Sequence, residues 1–194
     1  MIDKDLTTYI HHYKNFVDIK TCKQTVKELK KFKKEVWREH TFYNRYTNTE
    51  QKLSGNQELS TMYSDDVSTV KIIMDAYYQA IQQYIDTYKF PWWDSWAGFS
   101  FVRFNKYVKN KKKEWKNVVD HITTIFDGKK RGVPILSLLT VLNNDYDGGE
   151  FFIHDKEIKL KPGDVLMFPS NFMYPHKVEP VTKGTRYSMI SWVY

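Results

Sequence analysis

From Gly98 to Tyr194 the apolar residues come in short bursts, and this half limits the architecture most. SFVRFNKY (100–107), PILSLLTVLN (134–143), EFFIH (150–154), EIKLK (157–161), VLMF (165–168) and RYSMISWVY (186–194) are rich in β-branched and aromatic residues. Asp147-Gly148-Gly149, Lys161-Pro162-Gly163-Asp164 and Lys183-Gly184 separate them as turns. Many short strands at this spacing predict a sandwich or a jelly roll.

The first ninety residues follow a helical period. In Thr21–Phe32 the apolar positions Cys22, Val26, Leu29 and Phe32 recur every three or four residues, opposite a lysine face. Val67, Val70, Met74, Tyr77, Ile81, Tyr84 and Tyr88 form a stripe about six turns long. Ser64-Asp65-Asp66 offers an N-cap and first-turn acids before it. Such a stripe is expected to lie on a sheet, with Met74, Tyr77, Ile81 and Tyr84 carrying the burial. Val36–Tyr43 reads as a strand and Thr47–Ser60 as a polar loop. The expected class is α+β in a single domain over 1–194, with 1–97 mainly helical support and 98–194 the β core.

At 194 residues the chain is long enough to bury a real core. The lone Cys22 excludes a disulfide within the chain and suits a reducing compartment. The N-terminus, MIDKDLTTYIHH, carries no signal pattern, and the longest apolar run, VPILSLLTVL, is too short to cross a bilayer. A soluble, cytoplasmic protein with no membrane partner is expected, and nothing specifies its oligomeric state. The net charge of +7 is concentrated in KELKKFKK (27–34) and KYVKNKKKEWK (106–116). Without a DNA-binding motif beside them, these read as solvated surfaces, and nucleic acid is not the expected partner.

Chemistry gathers in the strand half. In YPHKVEPVTKGTRYS (174–188), Pro180 and the Lys183-Gly184 turn reverse the chain, which would set His176 and Arg186 on neighbouring strands. Arg186 and Ser188 alternate, so both face one side. An arginine fork beside a hydroxyl suits a carboxylate. LNNDYDGGEFF (142–152) and KPGDVLMFP (161–169) form a second element. VVDHI offers Asp120 as a candidate hard oxygen ligand.

RFNKY, VVDHI with IFDG, PILSLLTVLNNDYDGGEFF, IKLKPGDVLMFPS, YPHKVEPVTKGTRYS and the terminal ISW together resemble the prolyl 4-hydroxylase-like Fe(II)/2-oxoglutarate-dependent dioxygenases, especially compact phage-encoded members. The resemblance implies a double-stranded β-helix of the jelly-roll, cupin-like kind. It implies Fe(II), 2-oxoglutarate as cosubstrate and ascorbate. It also implies hydroxylation of a carbon, on a peptide or protein, as 2-oxoglutarate becomes succinate. By position, Asp120 and His176 match metal ligands, and Arg186 with Ser188 matches the clamp on the cosubstrate's far carboxylate.

One ligand does not carry across. The family places His-x-Asp on one strand, because residues i and i+2 share a face. Val118 stands at the histidine position, and none of His11, His12, His40, His121, His154 and His176 precedes an acid by two residues. His121 reaches the site of Asp120 only through a β-bulge and otherwise turns away; His154 reads as a surface residue. Phe104 stands where the family often has a tyrosine near 2-oxoglutarate, and Tyr107 is the substitute. Two readings follow: an oxygenase with a degenerate metal site and no assigned catalytic acid or base, or a non-catalytic β-helix with a binding or structural role, as in a phage particle.

Overall fold

Local chemistry sets the first elements of the chain. The structure is a computed structural model that describes residues 5–40, 42–44, 47, 49–51, 59–90, 97–109 and 134–194. Asp5 caps a 3-10 turn, Leu6–Tyr9, by accepting the Thr7 N–H at 2.9 Å. Strand β1, His11–Tyr13, follows. The Asp18 carboxylate accepts the N–H groups of Lys20 and Thr21 and opens α1, Ile19–Leu29. This helix buries Cys22, Thr25, Val26 and Leu29, the face its periodicity predicts.

The next segment departs from expectation. Residues 36–43 do not form one strand. A 3-10 turn, Lys34–Val36, precedes β2, Arg38–Glu39, and β3, Phe42–Asn44. The expected loop over 47–60 contains β4, Thr49–Gln51, and the start of β5, Leu59–Met62. Helix α2 spans Val70–Tyr88, and its N-cap is Thr69 rather than Ser64. Ser64 instead accepts the Asp66 N–H in the turn before it. The Thr69 hydroxyl makes no cap because it is buried 2.6 Å from that of Thr25, which ties α1 to α2.

The remaining strands are β6, Arg103–Val108; β7, Leu136–Val141; β8, Tyr146–Gly148; β9, Phe151–Ile153; β10, Lys156–Ile158; β11, Val165–Pro169; β12, His176–Val178; and β13, Val181–Val193. The main sheet runs β1-β11-β7-β13-β6-β5-β2, with every pair antiparallel, and β8 joins the first residues of β13. A second sheet runs β10-β9-β12, and β3 pairs with β4. This is the expected double-stranded β-helix with supporting helices.

Strand alternation divides the main sheet into two faces. Phe104, Leu138, Met167, Tyr187 and Met189 pack under α2 with Ile73, Tyr77, Ile81 and Tyr84 in one core. Met74 is only partly buried, so the burial falls on the other three residues of the expected stripe. The Tyr77 hydroxyl donates to the Met189 carbonyl and bonds Thr140, anchoring the helix across two strands. The opposite face turns toward the smaller sheet, where Leu139, Leu166 and Phe168 form a second core with Phe151, Ile153 and Tyr174. No helix among the described residues is long and apolar enough to cross a membrane.

Candidate cosubstrate and metal site

Arg186 lies in the middle of β13 with no solvent exposure. One guanidinium nitrogen, Nη1, donates to Ser188 Oγ at 3.0 Å. Its ladder partner on β6 is Tyr107, whose ring centre is 5.0 Å from the guanidinium carbon. Nε and Nη2 are buried and have no hydrogen-bond partner among the described residues. A buried guanidinium with two unsatisfied donors is costly unless an anion completes it.

There is room for that anion. A cavity of about 180 Å³ is lined by Arg186, Val141, Tyr146, Gly149, Phe151 and Leu160, with the exposed Glu150, Glu157 and Lys159 along its outer part. Gly149 leaves this space open: a Cβ there would stand 2.9 Å from Arg186 Cδ, and its φ of +70° disfavours other residues. A five-carbon dicarboxylate matches the cavity's size and its buried cation.

Phe104 and Tyr107 occupy opposite faces of β6. Phe104 is fully buried under α2 and does not face Arg186. Its phenyl ring is therefore not a loss at the anion pocket. Tyr107, three residues on, carries the ring that meets the guanidinium.

His176 opens β12 and pairs with Ile153 of β9. Its Nδ1 lies 3.1 Å from the Tyr174 carbonyl, an acceptor only, so the proton resides on Nδ1 and Nε2 carries the lone pair that a metal requires. The ring packs on Phe151 with centroids 5.7 Å apart and meets the edge of Phe168 at 5.0 Å. Phe151 also lines the cavity of Arg186, so one side chain joins the two features.

His176 and Arg186 do not sit on paired strands, contrary to the expected hairpin. β12 belongs to the smaller sheet, whereas Arg186 pairs with β6 in the main sheet. Glu179 N–H bonds the Glu150 carbonyl, and Gly149 N–H bonds that of Pro180. These contacts hold the chain against the β8–β9 turn, so it crosses between sheets instead of folding back.

Val118, Asp120 and His121 lie outside the described residues. Among the described residues, no three His, Cys, Asp or Glu side chains gather as a metal site. His154 has a left-handed φ of 51°, and its Nε2 donates to the Met173 carbonyl at 2.5 Å, away from any ligand role. Of the residues the sequence singles out, Arg186, Ser188 and Tyr107 come together, and His176 lies against Phe151 at the same cavity. Gly149, Phe151 and Phe168, which line the cavity or pack on the His176 ring, were not singled out, although they sit in the GGEFF and VLMFP patterns.

The antiparallel β-helix and the sequence that forms it both have known counterparts. Residues 102–194 match the 2OG-Fe(II) oxygenase superfamily. A PKHD-type hydroxylase of Janthinobacterium sp. (strain Marseille) is 39% identical over 88 residues, covering 38% of this chain and 38% of that protein. PKHD-type hydroxylase IL0759 of Idiomarina loihiensis is 46% identical over 54 residues, covering 26% and 24%. The chain thus spans well under half the length of these relatives.

Three solved structures share the fold. The viral collagen prolyl hydroxylase vCPH of Paramecium Bursaria Chlorella virus-1, in its 2OG complex, aligns with a TM-score of 0.62 at 15% identity over 95% of both chains. A Pseudomonas putida prolyl-4-hydroxylase gives 0.66 at 16% over 97% and 94%. A Trichoplax adhaerens prolyl hydroxylase, complexed with a hypoxia inducible factor oxygen degradation domain peptide fragment, gives 0.67 at 15% over 97% and 84%. From Val102 to Tyr194 the chain is thus similar to the 2OG-Fe(II) oxygenase superfamily, and its fold is that of the prolyl hydroxylases. That family uses Fe(II) and 2-oxoglutarate.

Proposed function

We propose that this chain binds 2-oxoglutarate and acts as an Fe(II)/2-oxoglutarate-dependent oxygenase with a degenerate metal site. The observation that carries the reading is Arg186, buried beside an open cavity with Nε and Nη2 unpaired. In this reading Arg186 and Ser188 hold the far carboxylate, and Tyr107 stacks on the guanidinium and offers its hydroxyl. Phe151, Val141 and Leu160 exclude water from the methylene chain.

His176 would hold the metal through Nε2, with Asp120 as the second donor and His121 as the alternative. Fe(II), when bound, supplies the centre at which oxygen is activated. The protein's part is to present one imidazole in a fixed tautomer, one carboxylate and a dry wall of aromatic side chains. Val118 contributes no donor, so metal binding is weaker than in a site with two histidines. A peptide or protein is the proposed substrate, supported by the peptide bound in the Trichoplax relative. A cytoplasmic setting suits the unpaired Cys22.

Val118 also favours a second reading, a β-helix that binds 2-oxoglutarate without turning it over. One experiment separates them. Protein purified anaerobically is given Fe(II), 2-oxoglutarate and ascorbate, then oxygen, and succinate is measured in wild type and in Val118→His. Turnover in the wild type supports the enzyme. Turnover only in Val118→His identifies the valine as the lesion. No 2-oxoglutarate affinity in either protein overturns the reading.

A further inference from the structure

We infer that Tyr174 and the N-terminal turn Leu6–Tyr9 position the His176 imidazole, and that helix α2 holds that turn in place. The inference rests on reading His176 as a metal ligand. It begins with the carbonyl groups of five successive residues. Those of Asp5 and Thr7 accept backbone N–H groups, from Thr8 and Ile10, each at 3.1 Å. The other three accept tyrosine hydroxyls. Tyr174 donates to the Leu6 carbonyl at 3.1 Å, Tyr88 donates to that of Thr8, and Tyr84 donates to that of Tyr9 at 3.0 Å. A short turn cannot satisfy all its own carbonyls. Here the remainder are met from two distant parts of the chain.

Two of these tyrosines belong to α2, and the third precedes His176 by two residues. Tyr174 is almost fully buried, and its own carbonyl accepts the His176 Nδ1–H. Its hydroxyl and its carbonyl thus tie the turn to the imidazole through one residue. Packing follows the same route. Leu6, Tyr9 and Ile10 lie against the core of Phe151, Phe168 and Tyr174, and the first two of those aromatics flank the His176 ring. His11 extends the clamp, with Nε2 2.7 Å from the Tyr88 hydroxyl.

Outer partners that orient a ligating histidine typically contribute about 10–100-fold in metal affinity. Phenylalanine at position 174 keeps the ring but releases the Leu6 carbonyl, so the backbone that holds Nδ1 loses its anchor. Tyr174 and the turn are positioning elements and touch neither metal nor substrate.

The test uses the full chain with Co(II) as probe. Affinity is read from the Co(II) absorption, and the tautomer of His176 from its imidazole ¹⁵N shifts in metal-free protein. Tyr174→Phe is expected to weaken Co(II) binding about 10-fold and to shift His176 from the Nδ1–H form toward a mixture. Tyr88→Phe, acting from α2, is expected to move both readouts the same way. Tyr77→Phe is the control: it removes a buried hydroxyl bonded to Thr140 and Met189 under the same sheet and should move neither. Wild-type Co(II) affinity and tautomer in both Tyr174→Phe and Tyr88→Phe would overturn the inference, as would equal losses in Tyr77→Phe. If wild type binds no Co(II), the metal reading fails by itself, and the ¹⁵N comparison still decides the positioning.

Discussion

Arg186 and Tyr107 are ladder partners on antiparallel strands, and the guanidinium sits 5.0 Å from the centre of the ring. The aromatic face covers one side of a cation that water cannot reach. Ser188 satisfies one of its nitrogens, and the others await an acceptor. An anion that completed the pair would meet a cation whose desolvation cost is already incurred in the fold.

Arg186→Met separates stability from binding. Removing a buried cation with two unpaired N–H donors should leave the melting temperature in buffer unchanged or higher. The variant should show no heat of 2-oxoglutarate binding in calorimetry and no thermal shift on adding it. Wild type should gain about 2.7 kcal/mol when 2-oxoglutarate is at 100 times its Kd. A variant that still binds would show that the anion lies elsewhere.

Gly149→Ala acts on the same cavity from a residue that lies directly against Arg186. The new methyl meets Arg186 Cδ at 2.9 Å, and the left-handed φ adds strain. A stability loss of about 1–3 kcal/mol is expected, together with weaker 2-oxoglutarate binding because the guanidinium is displaced. Equilibrium unfolding and calorimetry check the two effects separately.

Ile81 lies at the centre of the α2 contact with the sheet and is fully buried. Ile81→Ala should cost about 2–5 kcal/mol in urea unfolding. Ile72→Ala, on the exposed side of the same helix, should change stability by less than about 0.5 kcal/mol.

Asp164 makes acid stability testable. Burial opposes its charge, but the N–H groups of Asn15 and Lys161 and the His12 imidazole, 2.8 Å away, bond the carboxylate and hold its pKa below the ordinary value. Because the folded pKa lies below the unfolded one, this stabilisation is complete above the unfolded value of about 3.9 and is lost as pH falls through the folded value. Asp164→Asn should therefore be less stable than wild type at pH 7, and the difference should shrink below about pH 4. Unfolding free energies measured across that range decide the point. A constant gap would assign the effect to lost packing alone.

Much of this was legible in the sequence because it depends on local periods. The α2 stripe declares its face at 3.6 residues per turn, and the turn residues cut the strand half nearly where the strands end. What was not legible depends on distant pairing. The spacing of His176 and Arg186 fits a hairpin and a crossover equally well, and only the bonds to Gly149 and Glu150 select the crossover. Phe104 looked like the residue at the pocket because it fills a family position. The register of β6 on β13 turns it away and brings Tyr107 forward. Strand β1, three polar aromatics long, gave no strand signal, since its partner β11 lies at the other end of the chain. The segment with Val118, Asp120 and His121 lies outside the described residues, so its part in the site rests on sequence.

The strand order also sets a timetable. Strand β13 lies between β7 and β6 but follows both in the chain, and β1 pairs with β11, where His12 and Asp164 are 152 positions apart. At about 5–20 residues per second, β1 would wait on the order of 10–30 s on the ribosome before its neighbour exists. The two inner edges of β6 and β7 stay open until β13 is made. Such a sheet cannot be assembled from its N-terminus as it is translated. Its production should respond more to translation speed and to chaperones that cover strand edges than to substitutions that strengthen the N-terminal helices.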